Sequence, residues 1–185
     1  VQLYSKDWGL ASGLITQFSS KWWTSNPVGA VTNAEAFQLE ELLCTDSELV
    51  GFVDSSVKKK DSISWAGLEG LVMDKEGKVL FTFSGPASSI SPFEVEWQAL
   101  RYLLFSLFET KWKSKFVCIY SDNSAVVKAF LEMQIVKKYD SDPSFHKVAS
   151  SLSVSIKSIS RDINARADLL AKRGAQRSEM ARFWN

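Results

Sequence analysis

The pattern of apolar and polar positions is clearest from Leu49 onward. Leu49 to Val53 is an apolar run ending in Asp54, followed by Ser55, Ser56 and the polar Lys58-Lys59-Lys60-Asp61, which predicts a short strand and a hairpin turn. Ile63 to Met73 and Lys78 to Phe83 read as two further strands, joined by Asp74-Lys75-Glu76-Gly77, whose glycine suits a tight turn. Three consecutive strands form a meander. Ser91-Pro92-Phe93-Glu94 then opens a helix, with Ser91 at the cap, Pro92 at the first helical position and Glu94 closing a capping box; the helix runs to about Glu109.

Phe116 to Tyr120 is apolar on both faces, as a central strand covered by helices should be, and it ends at Ser121-Asp122-Asn123. Ala125 to Leu131 reads as a helix, Lys137 to Asp142 as a loop before Pro143, and Phe145 to Ser151 as a short helix. Val154, Ile156 and Ile159 mark a last strand, after which Asn164 caps a helix running to Gly174. The principal elements follow the order βββαβαβα, an α/β class. Residues 1–47 differ: Trp8, Ala11, Ile15, Phe18 and Trp22 recur at helical spacing, and Thr32 to Glu35 has the form of a second capping box. The expected division is a helical extension over 1–48, one domain over 49–177 and a tail over 178–185.

Composition narrows the class. With 45% hydrophobic residues the chain can bury an ordinary core. No run approaches the length of a membrane span, and the start lacks the order of a secretory signal, so a soluble protein with no membrane partner is expected. Val1 stands where a Met would, so the chain is read as a piece of something longer. Cys44 and Cys118 are too few for a disulfide framework or a zinc site, which points to an intracellular, reducing compartment.

The net charge of +1 hides an asymmetry: residues 1–48 carry two Lys against six acids, and residues 49–177 carry nineteen Lys or Arg against fourteen acids. Acids gathered into one site would leave the rest of the second segment strongly positive and attractive to a polyanion.

Four acids stand apart. Asp54 and Asp122 each follow an apolar strand run, which places both carboxylates at strand ends. Glu96 and Glu94 are about 200° apart around a helix, so they cannot share a face. Ala99, Leu100, Leu103 and Leu107 lie on the stripe of Glu96, which makes it the inward-facing acid, costly to bury unless a cation or hydrogen bonds compensate it. Asp168 repeats the oddity beside Ala167, Ala171 and Ala175. Hard divalent ions want oxygen ligands, and phosphodiester hydrolysis by an ion pair needs several carboxylates to hold it. No rival chemistry is visible: His146 has no Ser or Cys in a nucleophile context, and there is no glycine-rich phosphate loop.

These motifs together resemble the ribonuclease H family, in particular its plant and retroelement-type branch. The resemblance rests on Gly51-Phe52-Val53-Asp54-Ser55-Ser56, on Trp65 to Val72 with Gly77 to Leu80, on Glu96-Trp97-Gln98-Ala99-Leu100, on Tyr120 to Val127 around Asp122, and on Arg161 to Lys172 around Asp168. It implies a mixed five-stranded sheet flanked by helices, and cleavage of the RNA strand of RNA/DNA hybrids with two Mg2+ ions, for which Mn2+ could substitute. It further implies that Asp54 touches both ions, Glu96 and Asp122 complete one shell, and Asp168 the other. Ser55, Ser56, Asn123, Lys128, Arg161, Asn164, Lys172 and Arg173 are the expected nucleic-acid contacts.

The chain departs from the pattern at Ser55, where the family has glycine, at Glu69, an added acid, and in lacking a motif histidine before Asp168. Residues 1–48 match nothing in it and suggest a protein partner or a homodimer contact. The rival reading is an inactive module of the same fold that binds nucleic acid or assembles with proteins.

Overall fold

The protein is described by a computed structural model over residues 46–76, 78–136, 142–161, 164 and 177–184. The helices expected within 1–45, and the last helix after Asn164 with Asp168, Lys172 and Arg173, lie outside the described residues. The described elements are β1 (Leu49–Lys60), β2 (Ile63–Asp74), β3 (Val79–Pro86), α1 (Pro92–Phe108), β4 (Val117–Ser121), α2 (Ser124–Val136), α3 (Pro143–Ser151), β5 (Val154–Ser158) and β6 (Ala181–Trp184). The strands form one mixed sheet in the order β5-β4-β1-β2-β3-β6. The meander β1-β2-β3 and the pair β3-β6 are antiparallel, whereas β4 runs parallel to both β1 and β5.

Two strands differ from the sequence expectation. The sheet has six strands where five were expected, because Ala181–Trp184, assigned to the tail, pairs with β3 from Phe81↔Trp184 to Ser84↔Ala181. Four residues are too few for alternation to show, and the pairing is fixed by packing such as the stacked rings of Phe81 and Trp184, 4.8 Å apart. Strand β1 does not stop at Val53. It pairs with β2 without interruption from Leu49↔Asp74 to Lys60↔Ile63, so the polar residues after Asp54 continue the ladder. The two-residue loop places Asp61 at φ 54°, a left-handed conformation that Asp tolerates and that suits a tight hairpin.

The three described helices supply the larger core cluster. Val95, Ala99, Leu100, Leu103, Leu104 and Leu107 of α1 pack with Val53, Leu68, Val72 and Ile119 of the sheet and with Phe130 of α2 and Phe145 of α3. Alternation sends Val50 and Phe52 to the opposite face, where they meet Met73, Cys118 and Tyr120 in a second cluster. Both sheet faces are thus buried along β1 and β4, as continuous apolar runs demand. None of the described helices is long and apolar enough to cross a membrane.

Helix α1 begins where Pro92 placed it, but the expected capping box does not form. Ser91 makes no side-chain cap bond. Ser89 takes its place: its hydroxyl donates to the Glu94 carboxylate and accepts the backbone N–H of Ser91. Helix α3 is capped by Asp142, whose carboxylate accepts the Ser144 N–H at 2.9 Å and pairs with Arg101 of α1 at 2.7 Å.

Candidate metal centre

The parallel ladder between β1 and β4 ends at Phe52↔Tyr120. Beyond that point β1 continues with β2 alone, and the two strands that had been neighbours part. Asp54 lies in the middle of β1 yet just past the end of its pairing with β4, while Asp122 immediately follows β4. Glu96 enters from the first turns of α1. Its position on the core-facing stripe leaves it 1% exposed, while Glu94, on the other side of the helix, faces solvent. Ligand oxygens of Asp54, Glu96 and Asp122 all lie within 4.8 Å of one another.

Three carboxylates so close repel one another unless a cation lies among them. The electrostatics carry that signature: burial first, then the charge of Asp122, push Glu96 up to about 7, against the lowering effects of Ser55, Ser121 and Arg161. The Arg161 guanidinium also bonds Asp122, Nε to Oδ2 at 3.0 Å, with 88% of its own side chain exposed and 7% of the aspartate's. A cation already balances one corner of the cluster. Oxygen-only donors at this spacing fit a hard divalent ion such as Mg2+ or Mn2+.

Ser121, which the sequence reading did not single out, organises the centre. Its hydroxyl donates to Glu96 Oε1 at 2.9 Å and accepts the Asn123 N–H at 3.1 Å, tying the inward helix acid to the start of α2. Alternation offers the missed signal: Asp122 and Ser121 point to opposite sides, and the side of Ser121 is the one α1 covers. Asp54 Oδ1 accepts the Ser55 N–H at 2.7 Å.

The expected nucleic-acid contacts have distinct settings. Ser55 reaches Glu96, and Ser56 is buried in β1. Asn123 Oδ1 caps α2, accepting from the N–H groups of Ala125 and Val126 at 3.2 and 3.3 Å. Lys128 is 78% exposed, 3.8 Å from Glu132 one turn on. Arg161 holds Asp122. Asn164 is 1% exposed and its amide donates to the Val53 carbonyl at 3.1 Å, fastening the chain after β5 to the strand that carries Asp54. The added acid Glu69 is 0% exposed and stands directly across the β1-β2 ladder from Asp54.

This fold is that of ribonuclease H-like domains. The sequence matches the model of the reverse transcriptase-like family over residues 52–174, and the chain belongs to that family of ribonuclease H-like domains. Solved structures agree on the fold. The ribonuclease H domain of the prototype foamy virus superposes with a TM-score of 0.56 at 18% identity, over 71% of this chain and 96% of that one. LC11-RNase H1, in a complex with an RNA/DNA hybrid, gives 0.54 at 21% identity, over 69% and 96% of the two chains. RNase H1 of Halobacterium salinarum gives 0.53 at 14% identity, over 69% and 97%. No curated protein sequence matches the chain.

Proposed function

We propose that the protein is a metal-dependent endonuclease that hydrolyses the RNA strand of RNA/DNA hybrids, using two magnesium ions. The observation that carries this reading is the convergence of Asp54, Glu96 and Asp122 to within 4.8 Å where β1 and β4 part. Similar folds support the choice of substrate: LC11-RNase H1 is described in complex with an RNA/DNA hybrid, and the foamy viral protease-reverse transcriptase in complex with double-stranded DNA.

Asp54, Glu96 and Asp122 would hold the ions, joined by Asp168. The ions would supply activation of the attacking water and neutralisation of the leaving oxygen. The chain's own contribution is positional. Ser121 and Ser55 fix the Glu96 carboxylate, the ladder to β2 fixes Asp54, and Asn164 anchors the segment after β5 against Val53. Arg161, largely exposed beside Asp122, is placed to meet a phosphate.

The test is incubation of the purified chain with a labelled hybrid and Mg2+. Cleavage confined to the RNA strand and lost in Asp54→Asn is expected; no cleavage, or equal cleavage by the variant, refutes the reading.

A further inference from the structure

The β1-β2 hairpin carries a second feature, outward from the acids. Because the ladder is continuous, residues that pair across it share a face, and alternate pairs return to that face. On the face of Asp54 and Glu69 the next pair is Ser56 with Gly67, and the one after is Lys58 with Trp65. Among the described residues Trp65 belongs to neither core cluster, and it is half-buried. Lys58 beside it is also half-buried, and Lys59 projects to the opposite face. A tryptophan outside the core clusters of the described residues, next to a lysine and on the same face as the Asp54 carboxyl, has the composition of a nucleic-acid contact: cation for phosphate, ring for the flat or apolar part of a nucleotide.

We propose that Lys58 and Trp65 form an outlying subsite that grips the bound nucleic acid away from the point of cleavage, Lys58 on a backbone phosphate and the Trp65 ring against the adjoining sugar. Lys58 lies four residues beyond Asp54 along an extended strand. At about 3.3 Å per residue that is about 13 Å, which spans about four nucleotide steps of a duplex strand at about 3.4 Å each. The subsite takes a polyanion long enough to reach both places and ignores one that covers the acids alone. The inference rests on the nucleic-acid-binding part of the proposed function, not on cleavage.

The experiment measures binding of the full chain to fluorescent RNA/DNA hybrids, one long and one of a few base pairs, across a salt series with calcium in place of magnesium. For Lys58→Ala, the long hybrid should bind more weakly and the slope of log affinity against log salt should fall by about one. Lys59→Ala removes the same charge from the opposite face and should change the slope far less. Trp65→Ala should weaken the long complex about ten-fold with the slope unchanged, and Trp65→Phe should restore most of it. The short hybrid should not distinguish any of them.

Equal effects of the two lysine variants, or wild-type affinity in both Lys58→Ala and Trp65→Ala, overturn the inference. So does equal weakening by Trp65→Ala and Trp65→Phe with a lowered Tm, which marks the ring as structural. If the wild-type chain binds hybrid without cutting it and the variants lose that binding, the subsite stands and the nuclease reading falls. If the wild type binds no hybrid, the subsite falls too.

Discussion

Asp54 and Glu69 face each other across the antiparallel ladder of β1 and β2, at 4% and 0% exposure. Directly opposed residues hold their Cβ atoms about 5 Å apart, so the two carboxylates share one field. Any negative charge that Glu69 carries there adds to the pull on a cation. Glu69→Gln is therefore expected to weaken Mn2+ binding several-fold, about 1 kcal/mol, as read by calorimetric titration. Unchanged affinity would show that Glu69 is screened from the centre.

Glu96 makes stability without metal depend on pH. Its carboxyl, raised from 4.5 to about 7 chiefly by burial, binds its proton more tightly in the folded chain than in the unfolded one. Stabilisation by that proton is complete below about 4.5 and is lost as pH rises through about 7, with a ceiling on the order of 3 kcal/mol. Urea unfolding in EDTA should show a midpoint that falls across this window, and Glu96→Gln should flatten it. Divalent-ion affinity should rise over the same window, because only the ionised carboxylate is a ligand.

Arg161 neutralises part of the charge that would attract an ion. Its pair with Asp122 is open to solvent on the arginine side, so its loss should cost less than about 1 kcal/mol of stability. Arg161→Ala should nevertheless bind Mn2+ several-fold more tightly, since a competing positive charge has gone. If it also meets a substrate phosphate, KM for the hybrid rises while kcat changes less. Weaker ion binding in the variant would contradict this account.

Gly70, next to Glu69, admits no side chain. A Cβ there would overlap the ring of Phe83, which is 1% exposed and cannot swing into solvent, and would press Leu103 at 3.1 Å. Gly70→Ala should destabilise the domain by about 1–3 kcal/mol in denaturant titration. A neutral result would mean that β3 shifts more readily than its packing suggests.

The sequence was most informative where periodicity and covalent geometry act locally. Helical angles alone separated Glu96 from Glu94, and the apolar run into Asp122 located the end of β4. Local pattern misled at Asp54: polar residues after an apolar run look like a turn, but here they extend a hairpin past the neighbouring strand. What ends at Phe52 is the pairing with β4, not the strand. Nor could the sequence reveal that Ser89 would displace Ser91 as the partner of Glu94, since both serines sit within reach and only the loop's path chooses. Ser121 was hidden for the same reason: its role depends on a helix approaching from elsewhere in the chain. Asp168, Lys172 and Arg173 rest on their motif alone.

Strand β6 is four residues long, but it covers the outer hydrogen-bonding edge of β3, behind which Phe81 and Phe83 are each 1% exposed. Without it that edge is an open template for another chain's backbone. Loss of the last few residues would leave the carboxylates about where they are and instead govern whether the protein stays dispersed. A version trimmed at Met180 would be expected to retain its ion binding when dilute and to form β-rich aggregates as it is concentrated.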